Sequence, residues 1–316
     1  MNFCARFIVN SDVYTAGLIK ISRQKPLPVF NRTCKGNKKE LGSIICRANK
    51  NKECMLRHSV IAVLVLLIFP AFHAKDSYRR VPQSSFGAGE HFEYRVHYGI
   101  FNAADAVVDV SPQIQQVNGR PCYKISIVGT TLGAFSWFAK VRDEWQSWMD
   151  TSAIVSQKFY RNIQENNYRK VETTVFNHAT DDAIVTDENG TKKFDVPDHI
   201  QDAISGYFYL RTLDFTKLQP NDVVDVPTFL ESSVYKLKVK YRGKDNVKTK
   251  FGKIKALKLT PLMPNNQLFK GENSIRIWVS DDANKVPIKV EVDLWVGSMV
   301  MEVRSFRGAR NNFNWY

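Results

Sequence analysis

One stretch of this sequence has a helical period, and it stands in a region that otherwise alternates. In Asp198–Leu213 (DHIQDAISGYFYLRTL), Ile200, Ala203, Ile204, Tyr207, Phe208 and Arg211 recur at i, i+3, i+4, i+7, i+8 and i+11. That spacing sets the apolar members on one face of a helix. Asp198 stands where it can cap the first turn, Gln201 three residues on completes a capping box, and Pro197 favours an extended entry. A lone amphipathic helix must cover its stripe with a large apolar surface, and the only one this chain can supply is a sheet. A single helix also excludes a parallel α/β architecture, in which each crossover brings its own helix.

The flanking sequence supplies the strands. In Glu90–Gly99, Phe92, Tyr94, Val96 and Tyr98 fall on one face, with His91, Glu93, Arg95 and His97 on the other. Further strands are predicted at Ala103–Val110, Pro121–Gly129, Asp143–Trp148, Ile154–Ile163, Tyr168–Phe176, Ala183–Thr186 and Lys192–Val196. After the helix come Val223–Leu230, a hairpin of Val234–Tyr241 with Val247–Leu259, then Ser274–Ser280, Val286–Val296 and Met299–Phe306. Asn118-Gly119 and Asn189-Gly190 are hairpin-turn signals. Short strands separated by turns predict a mainly β fold: an antiparallel meander forming a curved sheet, a partly open barrel or sandwich, with one packed α-helix over about 198–213. Residues 86–310 read as a single β-rich domain, preceded by a loose arm at 75–85.

Charge is unevenly placed. The formal net charge is +14, but residues 1–74 hold 12 basic and 3 acidic side chains, leaving a balance of only +5 for the remainder. Met55-Leu-Arg-His58 followed by the apolar Ser59–Phe72 and by Ala74 has the build of an export signal, with an apolar run shorter than the ~18 residues of a membrane-spanning helix. Residues 1–54 lack an apolar period and read as a misassigned or disordered extension, with translation expected to start at Met55. Four of the five cysteines lie upstream of Met55. Cys122 alone remains, which excludes an internal disulfide or a cysteine-based zinc site in the rest of the chain and suits a small buried hydrophobe.

Two constellations could carry function. Trp137, Phe138, Arg142, Asp143, Trp145 and Trp148 suggest a polar cluster at the mouth of an aromatic-walled pocket, suited to sugar or lipid; the competing reading is an ion pair above core tryptophans. Lys236, Lys238 and Lys240 alternate along one strand, and Lys248 and Lys250 follow on its expected partner. Together they would form a face for anionic lipid or polysaccharide, or a solvated face that protects an edge. Nucleic acid is not expected, because no aromatics interleave with these lysines. His91 and His97, on one strand face but about 20 Å apart, cannot share a metal. HExxH, GxSxG and phosphate-loop motifs are absent from the sequence, so neither metal nor cofactor is expected. The aromatic end Phe313–Tyr316 is shared with outer-membrane barrels, but the charged strand faces, the helix and the short runs argue against one.

Several blocks in order, Gly89–Gly99 (GEHFEYRVHYG), Trp137–Asp143 (WFAKVRD), Asp202–Phe215 (DAISGYFYLRTLDF), Lys250–Lys253 (KFGK), Phe269–Gly271 (FKG) and Ile277–Asp282 (IWVSDD) with Val286-Pro287, resemble the exported bacterial proteins grouped as domain of unknown function 3108. The resemblance covers about Phe86 to Gly308. It implies an exported, mostly β protein of a Gram-negative, often Bacteroidetes-like, bacterium, located in the periplasm or at the outer membrane, and it transfers no catalytic residue. With the residues above, it leads us to expect a non-enzymatic binder or carrier of an amphipathic envelope molecule. The partners to expect are a lipid, a glycolipid, an envelope polysaccharide or another envelope protein. The alternatives are a glycan-acting hydrolase or lyase and a structural component of the envelope.

Overall fold

The computed structural model describes residues 78–262, 271 and 273–316. The expected export signal, the extension before it and Phe269-Lys270 lie outside these residues.

The chain enters at the middle of its sheet. From β1 (His91–Tyr98) it steps outward through β2 (Phe101–Val110), β4 (Arg120–Thr131), β5 (Arg142–Asp150), β6 (Ser156–Glu165), β7 (Tyr168–Asn177), β8 (Asp182–Asp187) and β9 (Gly190–Asp195). The short β3 (Gln115–Val117) is hairpinned onto β4, and a single helical turn, α1 (Phe135–Phe138), joins β4 to β5. At the β9 edge the meander breaks. The chain crosses through α2 (Ala203–Arg211) to the opposite edge and begins again at β10 (Val223–Leu230). It returns through β11 (Ser233–Thr249), β12 (Gly252–Pro261), β13 (Ile275–Ser280) and β14 (Pro287–Asp293) to β15 (Ser298–Arg307), which pairs with β1. The product is one fifteen-stranded antiparallel sheet that does not close.

The sheet rolls over its own edge instead. Phe229 of β10 stacks edge-on against Phe176 of β7 at 5.9 Å and lies 5.6 Å from the Phe194 ring of β9, so one edge strand sits within the concave face of the other arm. Buried Arg161 of β6 fastens that arrangement. It donates to both oxygens of Glu172 on β7 (3.0 and 3.1 Å) and to Glu231 in the β10–β11 turn (3.1 Å). The β10 edge is further covered by Gln201, whose N–H donates to Pro227 O and whose carbonyl accepts from Phe229 N. The β9 edge is short and carries exposed Lys192 and Lys193, which resists pairing with another strand.

The helix cap falls four residues later than its period predicts, at Asp202 rather than Asp198. His199 has φ +61°, a left-handed conformation that stops a helix begun at Asp198, and Gln201 gives its backbone to β10. Asp202 therefore takes the cap. Its carboxylate accepts from Ile204 N and Ser205 N at 2.8 Å, and Ser205 Oγ accepts from Asp202 N, so the box closes with Ser205 in place of Gln201.

Two further expectations are corrected. Val234–Tyr241 and Val247–Leu259 do not form a hairpin: residues 233–249 are one strand that passes a bulge at Arg242-Gly243, and the turn falls at Lys250-Phe251. The arm is not loose over its described part. Val81 N–H donates to Ser152 O, Arg79 donates to the carbonyls of Ala153 and Ile154, and buried Ser85 Oγ donates to Arg211 O at 2.9 Å. Cys122 is buried as expected, and burial pushes its thiol up to about 12.

Candidate functional site

The concave side of the sheet is filled unequally. On one flank of α2, Ile204 and Phe208 join Phe86, Ile125, Trp145, Met149, Phe176 and Phe229 in a sealed core. On the other flank, Ala203, Tyr207 and Leu210 face β11–β13 across a pocket of about 120 Å³. Its far wall is Leu237, Val239, Leu259, Pro261, Ile277 and Val279, with Phe215 from the turn after the helix. These side chains point inward because β11, β12 and β13 alternate: Leu237 and Val239 line the pocket, while Lys236 and Lys238 project from the opposite face.

Arg211 and Lys285 supply the polar end of this pocket. Arg211 is fully engaged. Its two terminal nitrogens grip Glu90 at 2.8 and 3.0 Å, and it also donates to Ser85 O and Asn284 O. Lys285 differs. It makes no ion pair among the described residues, and burial lowers its pKa against the opposing pull of Asp214 and Asp282. Burial likewise pushes the Tyr207 phenol up, so it stays neutral. No carboxylate, thiol, hydroxyl nucleophile other than this phenol, or imidazole is among the lining residues. The wall can therefore sort molecules by shape, apolarity and negative charge, and its lining residues include no pair of carboxyl groups of the kind glycoside hydrolysis uses.

The helix that divides the two flanks is held by buried polar groups at both ends. At its start, the Asp202 carboxylate accepts from Ser147 Oγ of β5 (2.6 Å) and Ser156 Oγ of β6 (2.5 Å) besides its two backbone donors. Burial raises its pKa, and the four donors counter that rise. At its end stands the Arg211–Glu90 pair.

The aromatic constellation expected around Trp137–Trp148 is not brought together. Trp145 is buried in the sealed core, edge-on to Phe159 at 6.0 Å. Trp148 lies on the opposite face of β5, beneath β3, where its Nε1 donates to Gln115 (2.7 Å) and Lys124 and Lys158 approach its ring. Three residues apart on a strand means opposite faces, so these two rings could not share a wall. Asp143 is buried facing inward and accepts from Gln164 N (3.0 Å), whereas Arg142 is exposed. Trp137 and Phe138 are on α1, exposed at a strand end.

The expected lysine face exists but is stretched. Lys236, Lys238 and Lys240 share the outer side of the single strand β11, but the extra residue at the Arg242-Gly243 bulge reverses the alternation and turns Lys248 to the other face, about 40 Å along the strand from Lys236. Lys248 faces Lys253 across the hairpin. Lys250 sits in the turn with its ammonium 5.0 Å from the Phe251 ring. Only Lys236, Lys238 and Lys240 make a stripe, and it lies on the side away from the pocket.

Rolled antiparallel strands around a crossover helix define an open, β-barrel-like protein with a small apolar pocket. The chain belongs to the family described as "Protein of unknown function (DUF3108)", which matches residues 93–304, as the ordered sequence blocks led us to expect. No curated protein matches it. Solved structures similar to it include a β-barrel-like protein of domain of unknown function DUF1849 from Brucella abortus, 11% identical, with a TM-score of 0.47, covering 70% of this chain and 98% of that one. A protein provisionally described as a lipoprotein, from Parabacteroides distasonis, is 11% identical with a TM-score of 0.29 over 74% of this chain and 100% of that one. A provisionally assigned exported protein with a YmcC-like fold, from Bacteroides fragilis, is 10% identical with a TM-score of 0.28 over 73% and 99%.

Proposed function

We propose that this is an exported, non-enzymatic envelope protein that holds the apolar limb of an anionic amphiphile between α2 and β11–β13. One observation carries the reading: an apolar pocket whose polar end bears a half-buried lysine with no ion-pair partner among the described residues. An apolar wall gains by displacing water, and an anionic group beside Lys285 would offset the cost of burying that ammonium. The volume of about 120 Å³ is near that of an engineered cavity of about 150 Å³ that takes up benzene. It fits a ring or a short stretch of acyl chain, with the remainder of the molecule outside. Export is supported by the basic Met55–His58 and the apolar run after it.

The test compares dodecanoate with dodecanol by calorimetry on the wild type, Ala203→Phe and Lys285→Met. We expect Ala203→Phe, which fills the pocket from the helix side, to abolish binding of both without lowering the melting temperature. Lys285→Met should weaken dodecanoate by about tenfold and leave dodecanol unchanged. Absence of binding to the wild type, or binding indifferent to Ala203→Phe, would sink the reading.

A further inference from the structure

A second feature lies at one end of the strands, apart from the pocket. Antiparallel pairing alternates the turns between the two ends of the sheet. The register brings Met299 beside Tyr98, Tyr98 beside Phe101, Ala104 beside Thr131, and Thr130 beside Arg142. The β1–β2 turn, the β4–β5 connection with α1, and the β14–β15 turn therefore emerge together. Each carries large apolar side chains outward: Ile100 and Phe101 are 89% and 65% exposed, Trp137 and Phe138 86% and 82%, and Trp295 and Val296 62% and 76%.

These tips are braced as one unit. Tyr98 donates its hydroxyl hydrogen to Val296 O (2.9 Å) and its ring lies 6.0 Å from that of Phe135. Gly297, at φ +74°, is required beneath it, because a Cβ there would come within 2.6 Å of the Tyr98 oxygen. Leu132 N–H donates to Ala103 O, and Lys140 is tied through its backbone to Asn166 of the β6–β7 turn in both directions. The exposed aromatics thus sit on tips that these bonds tie to one another and to the β6–β7 turn.

Beside them stand Lys140 and Arg142, both exposed and without an ion pair among the described residues, and Arg169, which donates only to the carbonyls of Asn166 and Tyr168. Among the local acids, Asp143 is buried facing inward, Glu144 accepts a hydrogen bond from Gln146, and Asp293 is paired with Arg276. Convex tips bearing Trp and Phe, with free cations at their base, have the chemistry of a surface that enters the headgroup layer of an anionic bilayer. We propose that this strand end docks the protein on an anionic lipid surface, with Trp137, Phe138 and Trp295 inserted and Lys140 and Arg142 against the headgroups.

The experiment uses the full chain with phosphatidylglycerol–phosphatidylethanolamine vesicles, with phosphatidylcholine vesicles, and with the same lipids brominated near the carbonyl. We expect binding to the anionic vesicles and quenching of tryptophan fluorescence by the brominated lipid. Trp137→Ser/Trp295→Ser should lose the quenching and about tenfold or more in partitioning. Lys140→Glu/Arg142→Glu should abolish the preference for anionic over zwitterionic lipid. Because all four side chains are exposed, melting temperatures should not move. Attachment through residues 59–72 would leave partitioning in place but give no quenching lost on substitution, which would overturn the proposal. So would light scattering that shows a dimer in the absence of lipid, dispersed by Trp137→Ser/Trp295→Ser, since a second copy would then be the occupant. The outcome is independent of whether the pocket binds dodecanoate.

Discussion

The two flanks of α2 meet arms of the same sheet and are packed in opposite ways. Towards β4–β9 the helix presents Ile204 and Phe208 to a sealed core of interlocking aromatics, and its cap is bonded to Ser147 and Ser156 of that arm. Towards β11–β13 it presents Ala203, Tyr207 and Leu210 to an aliphatic wall that it does not fully reach. A meander need not produce this asymmetry. It follows from the single crossover, because a helix carried from one edge to the other can be anchored to only one arm at its start. The anchored flank sets the position of the helix, and the unanchored flank is free to keep a cavity. Sealed packing and open space are thereby assigned to different faces of nine residues.

The largest effect should come from the buried ion pair at the far end of the helix. Glu90→Ala would leave the Arg211 guanidinium buried without its carboxylate, at a cost of about 3–5 kcal/mol in urea unfolding. The double replacement Glu90→Leu/Arg211→Met should recover much of that loss, since it removes both charges from the interior together. Equal damage from the single and the double variant would show that the carbonyls of Ser85 and Asn284, and not the ion pair, hold the helix end.

Truncations on the two flanks sharpen the contrast. Phe208→Ala opens a void in a sealed core and should cost about 3–5 kcal/mol. Leu259→Ala enlarges a space that already exists, so its cost should fall near the low end for such changes, about 2 kcal/mol. Similar losses at both sites would mean that the pocket is collapsed in solution.

Much of this architecture was legible in residue periods, and the failures have physical causes. Alternation located the strands, and Val223–Leu230 begins and ends where it was expected. The helix was found by its 3.6-residue period but placed too early, because a period cannot register the left-handed His199 or the demand of β10 for the Gln201 backbone. Trp145 and Trp148 were read as one cluster although strand geometry alone separates them by face. The pocket left no local signal, since its walls are drawn from residues between Ala203 and Lys285 that meet only after the crossover. The same holds for the pairing of β15 with β1, on which the juxtaposition of the exposed tips depends.

A smaller, pH-dependent effect should distinguish the anchored end. Burial raises the pKa of the Asp202 carboxyl above its ordinary value. The unfolded chain therefore releases this proton first, and the carboxyl contributes stability at low pH that is lost as pH rises through the folded value. Asp202→Asn keeps a competent cap without the charge. Relative to the wild type, the variant should gain in urea midpoint as pH rises above the ordinary carboxylate range, whereas a flat difference would show that the four donors cancel the cost of burial.

The smallest effect belongs to the open flank and carries the sign of a cation. Burial lowers the pKa of Lys285, so below the folded value the native state bears the cost of a partly desolvated ammonium. As pH rises from the folded value towards the ordinary lysine range, the unfolded chain holds more protons than the native one, and stability increases. Lys285→Met should be slightly more stable than the wild type near neutrality and lose that advantage on the alkaline side. Saturating dodecanoate sets the decisive comparison. A carboxylate beside the ammonium would raise its pKa again and flatten the alkaline gain in the wild type, with no change in Lys285→Met. If dodecanoate leaves the alkaline slope of the wild type as it was, the headgroup does not sit at Lys285, even if the chain occupies the pocket.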